Sequence, residues 1–174
     1  MDTHYAFSAA RKDFSGLYDR VEKGQTVVVE RRGSPPLAMV DAQEQAALLA
    51  RVCPFSVQVR VGRDHVAMWV EGLPLHAQAK DLDSATTELA EELVDYAEDW
   101  VRELRHAPNH RKALGFVRRI ELAGSVEAVR EMLIADAEAA EGAAPETSAA
   151  EAGAIESATP EAKPTHSKTR AARP

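Results

Sequence analysis

Cysteine is almost missing from this sequence: Cys53 is the only one. One thiol excludes an internal disulfide framework and a cysteine-rich zinc site. Aromatic residues make up 5% of the chain, so a core must be built mainly from aliphatic side chains, and alanine supplies much of the 45% hydrophobic content. No apolar run reaches the roughly 18 residues a membrane span needs, and no charged-then-apolar leader precedes the first motifs. A soluble, cytoplasmic protein with no membrane partner is therefore expected.

The motifs of common enzyme chemistry are missing as well. There is no G-x-S-x-G elbow, no P-loop, no G-x-G-x-x-G and no H-E-x-x-H. His106 and His110 have a ligand-like i, i+4 spacing, but Pro108 lies between them and no third ligand is evident, so both read as surface residues. Cys53 has Val52 and Phe55 as apolar neighbours, which suggests burial rather than nucleophilic use. No enzyme, metal site or cofactor is expected. The net charge of −7 does not advertise nucleic-acid binding either. Residues 1–50 carry six Lys/Arg against seven Asp/Glu, and residues 51–140 carry 11 against 16. Any DNA surface must then be a local patch on a nearly neutral N-terminal module.

What is present begins at residues 4–41, which read as strand, helix, strand, basic turn and strand. Ser8 can cap a helix running to about Lys23, with Gly24 as its stop. Ala10, Phe14, Leu17, Tyr18 and Val21 share one face at helical spacing and are expected to be buried. Arg11 and Lys12 stand out, because positive charge is disfavoured in the first turn of such a helix. A polyanion sharing the site with the free amides would account for them; two solvated cations are the plainer alternative. Val27, Val28 and Val29 form a β-branched strand. Arg31, Arg32 and Gly33 then make an exposed turn, whose guanidiniums can reach phosphate or a guanine edge. Pro35 and Pro36 cannot donate ladder hydrogen bonds, so the return strand starts after them or lies at an edge. Asp41 caps a further helix to about Val52, with Glu44 three residues on.

The ordered series Tyr5–Phe7, Ser8-Ala9-Ala10-Arg11, Phe14, Leu17, Val21, Gly24, Val27–Val29, Arg31-Arg32-Gly33, Leu37–Val40 and an acidic helix start resembles the Phd/YefM (prevent-host-death) antitoxins over residues 1–52. The resemblance implies a small β-α-β-β-α module that forms a homodimer or higher assembly and binds operator DNA, followed by a segment that wraps a toxin. Carried over by position, Arg11 and Arg31 are the matched DNA-contact residues, with Ser8, Lys12 and Arg32 beside them. Pro35-Pro36 departs from the pattern and could alter the hairpin. The long continuation after residue 52 is a second departure.

In residues 55–140 the pattern changes. Phe55, Val57, Val59 and Val61 alternate with polar residues as in a half-buried strand, residues 62–65 turn, and residues 66–70 return. A bend at Glu71-Gly72-Leu73-Pro74 precedes a third strand over residues 75–79. Asp83 or Ser84 caps a long helix to about Arg105, with Leu89, Leu93, Tyr96, Ala97 and Trp100 on its apolar stripe and Glu88, Glu91, Glu92, Asp95, Glu98 and Asp99 around the rest. The strand pair, the Gly-Leu-Pro bend and the acidic helix resemble a HicB-type antitoxin domain. Pro108 ends the long helix. Asn109 caps one to about Ile120, and Ser125 caps another to about Glu141, which carries Val129, Met132 and Leu133. Both are expected to dock within the chain. Residues 141–174 hold Ile155 as their only large apolar side chain and read as a disordered tail with a basic end.

The expected fold class is α+β: the N-terminal module, a ββ(β)α unit with extra helices, and the tail. The expected function is a type II antitoxin that neutralises a cognate toxin and represses its own operon. An RNA-cleaving toxin of the RelE/ParE type is the first guess for the partner, with a kinase-like or PIN-type toxin as alternatives. A protein-interaction module without DNA binding is the runner-up reading, and an unrecognised hydrolase in residues 55–140 is disfavoured by the missing motifs.

Overall fold

Strand β1 (His4–Ala6) runs directly into helix α1 (Phe7–Lys12), and after Asp13 a second helix, α2 (Phe14–Glu22), leads to strand β2 (Val27–Glu30). The computed structural model describes residues 3–142. Strand β3 (Leu37–Met39) returns antiparallel to β2, while β1 lies parallel on its other side. The two helices form the crossover that a parallel pair requires. Gly24 takes a φ of 79°, which ends α2, and β3 starts after Pro35 and Pro36 at the sheet edge.

The single helix expected from Ser8 to Lys23 is in fact broken at Asp13, whose φ of −123° and ψ of 44° leave the helical region. Its carboxylate lies over Gly16, where a Cβ would come within 2.6 Å of both oxygens. An aspartate competes with helical hydrogen bonding and favours helix starts, and the glycine leaves it room. The electrostatics agree with the break. Arg11 and Lys12 fall in the last turn of α1, where the helix dipole favours cations, and Asp13 stands at the start of α2, where it favours an anion.

The core of this first sheet is small. Ala10, Leu17 and Val27 are buried, with Tyr5, Val21, Val29 and Met39 packed around them. Phe14 and Tyr18, expected on the buried face, are 58% and 60% exposed. Phe14, Leu17, Tyr18 and Val21 all lie within α2 and keep their helical spacing, but the small core takes only Leu17 and Val21 from that stripe. Helix α3 (Ala42–Val52) follows, with the Asp41 carboxylate accepting from the amides of Gln43 and Glu44 at 2.8 and 2.9 Å.

The second sheet is an antiparallel meander of β4 (Val57–Val61), β5 (Val66–Val70) and β6 (His76–Ala79). On β5, Val66, Met68 and Val70 are buried while Ala67 and Trp69 are half-buried, so one face of the strand takes the core. Gly72, at φ 86°, makes the bend before Leu73. Helix α4 (Leu82–Arg102) covers the buried face with Ala85, Leu89, Ala90, Leu93, Tyr96, Ala97 and Trp100. A fully buried side chain of this kind stabilises by about 1.5–3 kcal/mol. The cap of α4 is Asp81, whose carboxylate accepts from the Ser84 amide at 2.8 Å, rather than Asp83 or Ser84.

After α4 the chain makes two 3₁₀ segments, Leu104–His106 and Pro108–Ala113. The helix expected from Asn109 therefore starts only at Leu114, because Trp100 and Tyr96 hold His110 in the tighter segment: the Trp100 indole donates to the His110 carbonyl at 2.9 Å, and the Tyr96 hydroxyl shares a 2.8 Å hydrogen bond with His110 Nδ1. Helix α5 (Leu114–Ala123) ends at Gly124, and the Ser125 hydroxyl accepts from the Ala128 amide at the start of α6 (Val126–Gly142). Val117, Ile120, Val129 and Leu133 join the core beside α4, so both helices dock within the chain. The tail expected over residues 141–174 lies outside the described residues, except that Glu141 and Gly142 close α6.

Candidate nucleic-acid interface

The basic turn is held where β2 ends. Arg31 follows Glu30 directly, the Ser34 amide donates to the Arg31 carbonyl at 3.1 Å, and Gly33 adopts a φ of 77°. This tight turn leaves both Arg31 and Arg32 exposed. Arg31 is not a loose cation, however. Its guanidinium carbon lies 5.4 Å from the centre of the Phe7 ring, a stacking distance that limits where the planar fork can point.

Phe7 is the first residue of α1, and Arg11 lies four residues further along the same helix. Residues four apart share a helix face, so Arg11 follows on the face of α1 that carries Phe7. Lys12 lies one position beyond Arg11 and Arg32 one beyond Arg31, and all four cations are exposed. Ser8 is exposed too but lies inside α1. The residue before the helix is Ala6, which has no side-chain cap bond, so the capping role expected of Ser8 is not observed. With only six residues in α1 and its cations in the last turn, the first-turn anion argument for Arg11 and Lys12 no longer applies.

An open groove of about 450 Å³ runs beside the turn, lined by His4, Tyr5, Glu30, Arg31, Arg32 and Ser34 among others. The His4 ring shares a 2.8 Å contact with the Glu30 carboxylate, with both side chains largely solvated. The groove thus combines two guanidiniums with one carboxylate. Phe7 is the member that sequence reading missed, since a helix capped by Ser8 leaves it outside. An aromatic residue four places before an arginine at a helix start is the signal that could have found it.

The second region presents the opposite charge. Glu88, Glu91, Glu92, Asp95, Glu98 and Asp99 are all exposed on α4. Next to them, an apolar groove of about 560 Å³ is lined by Val94, Val101, Ile120 and Gly124 and edged by Glu98 and Glu121.

His106, His110 and Cys53, singled out in the sequence, are engaged structurally. His110 bonds to Tyr96, while His106 accepts from Arg105 at 2.9 Å, so the two histidines face different partners. Cys53 is only half-buried, and its sulfur packs against Gly115. Among the described residues, no group of three or more His, Cys, Asp or Glu side chains is placed to hold a metal ion. No helix among them is long and apolar enough to cross a membrane.

Comparison with known proteins adds a match over residues 1–135 to a family model described as PHD-like, antitoxin of toxin–antitoxin, RelE/RelB, TA system. The match runs across both sheets and into α6, well past residue 52. Among solved structures, the chain is similar to the antitoxin part of a proposed toxin/antitoxin system from Syntrophomonas wolfei subsp. wolfei, with a TM-score of 0.63 and 19% identity over 76% of this chain and 96% of that one. At that identity the likeness concerns the fold. No curated protein matches the chain.

Proposed function

The chain belongs to the PHD-like family of antitoxins of toxin–antitoxin systems, and from that premise we propose that it neutralises a cognate toxin by direct binding and represses its own operon through its N-terminal module. The observation that carries the DNA half is the Arg31–Phe7 stack with Arg11 one turn away. An aromatic ring restrains the Arg31 guanidinium, and a restrained fork suits phosphate and base edges better than a free one. In this reading Ser8, Arg11, Lys12, Arg31 and Arg32 contact the operator. The first sheet is the Phd/YefM-like part and the second the HicB-like part.

Homodimerisation through the first module is part of the same reading. Its small core leaves Phe14, Tyr18 and Leu37 exposed at 58%, 60% and 71%, and pairing two modules would cover apolar surface and place two basic patches on the duplex. For the toxin, the reading takes the acidic face of α4 and the groove beside it as the contact surface. Charge of this sign steers a basic, RNA-cleaving partner of RelE type onto the chain. Neutralisation is then steric and needs no catalysis by this protein.

One observation favours the alternative, a protein-interaction module without DNA binding: Glu30 shares the groove with Arg31 and Arg32, so the patch is not purely basic. Fluorescence anisotropy separates the two readings. Purified protein is titrated onto the DNA upstream of its own gene and onto scrambled DNA at two salt concentrations, beside an Arg11→Ala, Arg31→Ala variant. Preference for the upstream fragment, lost in the variant with a salt slope smaller by about two for each chain on the duplex, supports operator binding. Equal weak binding to both DNAs leaves the interaction module.

A further inference from the structure

The free edge of the second sheet has an unusual make-up. β4 has β5 on one side and no strand on the other among the described residues. Its sequence is Val57-Gln58-Val59-Arg60-Val61, which reads almost the same in both directions about Val59. Val57, Val59 and Val61 lie opposite Val70, Met68 and Val66, the buried residues of β5, and so share the core-facing side of the sheet. The helices do not cover that side to its end. Val57 is half-buried, but Val59 is 47% and Val61 76% exposed. Long apolar edges invite pairing, and proteins usually blunt them.

The backbone follows the same register. The Glu71 amide donates to the Ser56 carbonyl at 2.9 Å and the Gly62 amide to the His65 carbonyl at 2.8 Å. Antiparallel ladders alternate, so between these points Gln58 and Arg60 direct their amides and carbonyls at β5. Val57, Val59 and Val61 therefore direct theirs outward, on the strand side that carries no ladder. The Val57 amide makes a local 3.0 Å contact with the Phe55 carbonyl, which leaves the Val59 and Val61 amides and all three carbonyls as the open set.

We propose that β4 is an interface between two copies of this chain, paired antiparallel about Val59 so that two three-stranded sheets become one. In that register each Val59 amide donates to the other copy's Val59 carbonyl, and each Val61 amide donates to the other copy's Val57 carbonyl. The valines of both copies stand on one face and cover one another. Gln58 falls opposite the second copy's Arg60, so the two guanidiniums avoid facing each other directly. Moving the centre to Arg60 would still pair outward groups, Val59 with the other copy's Val61, but would set the two guanidiniums face to face. The near-palindrome is thus complementary to itself in shape, charge and hydrogen bonding, which is what a two-fold interface requires and a foreign strand does not. The contact is separate from the basic turn and holds whether or not the chain binds DNA.

The test is register-specific cross-linking of the full chain. Gln58→Cys and Arg60→Cys are made separately in a Cys53→Ala background; both positions are exposed, and circular dichroism checks the fold. Under mild oxidation, a mixture of the two variants is expected to give a disulfide-linked dimer, while each variant alone stays mainly monomeric on a non-reducing gel. The linked pair reports positions 58 and 60 alone, so a dimer formed by the N-terminal module does not imitate it. In parallel, adding Val59→Lys and Val61→Lys to both cysteine variants is expected to abolish the mixed cross-link. No excess cross-linking in the mixture, or a cross-link that survives the lysines, overturns the proposal, including the case in which β4 accepts a strand from a toxin instead.

Discussion

The guanidinium of Arg119 and the carboxylate of Asp136 meet 2.6 Å apart inside the protein, 3% and 13% exposed, and together they clamp the passage from α3 into β4. Arg119 donates to the Cys53 carbonyl at 3.0 Å, and Asp136 accepts from the Phe55 amide at 2.6 Å. The Arg119 guanidinium also lies 4.6 Å from the Phe55 ring centre, and that ring stacks on Phe116. One ion pair between α5 and α6 thereby satisfies backbone groups 66 and 81 residues away along the chain.

Breaking this pair on one side should be costly, because the remaining charge stays buried. Asp136→Ala is expected to lower unfolding free energy by about 3–5 kcal/mol in urea denaturation. Arg119→Met combined with Asp136→Leu should cost clearly less than the sum of the single changes. Additive losses would show that the two side chains do not act as a unit.

Gly115 should tolerate no side chain while Cys53 is in place. A Cβ at this position would overlap the Cys53 sulfur, on a helix that packs beside α3. Gly115→Ala is expected to destabilise by about 1–3 kcal/mol, and Cys53→Ala in the same chain should recover much of the loss. Thermal melts of the two single variants and the double variant measure the coupling. Independent effects would place the strain elsewhere.

Tyr96 should ionise later than an exposed tyrosine. Burial pushes its phenol pKa up from the ordinary value of 10.0, because the charged form is disfavoured away from water. The sign follows from linkage: in the unfolded chain the group ionises first, so the stability it contributes is present below pH 10 and is lost as pH rises through the higher folded value. Tyrosinate absorbance should show one late component, and Tyr96→Phe should remove it and weaken the alkaline decline in stability. A decline unchanged by Tyr96→Phe would assign it to other groups.

The cap of α4 should be sensitive to acid. The hydrogen bond from the Ser84 amide holds the Asp81 carboxyl below its usual 3.8. A lowered folded value means that the contribution is present above pH 3.8 and disappears as pH falls through the folded pKa. Asp81→Asn keeps a capping oxygen without the titration. The stability gap between the parent and Asp81→Asn should therefore change with pH only in that acidic window, followed by circular dichroism. A gap that is flat across the window would show that the charge contributes nothing to the cap.

Much of the architecture follows from local pattern. Alternation gave β4, the apolar stripe gave α4, and Asp41, Gly24 and Ser125 marked helix ends where they are found, because a cap acts on amides or carbonyls within one turn. The exposed turn at Arg31 and Arg32 was legible for the same reason. Local pattern failed where two local rules competed, as at Asp13, where apolar periodicity argued for continuity and the Arg-Lys-Asp charge order argued for a stop.

By itself, then, the sequence determined the strands of both sheets, the inward face of α4 and the exposed basic turn, since each of these depends on neighbours within a few residues. The tertiary structure alone decided that Arg31 stacks on Phe7, that Arg119 and Asp136 meet over Cys53 and Phe55, and that Val59 and Val61 stay uncovered at an edge. Those relationships depend on how helices and sheets come to lie against each other, and side-chain periodicity specifies a face to be buried without specifying the surface that buries it.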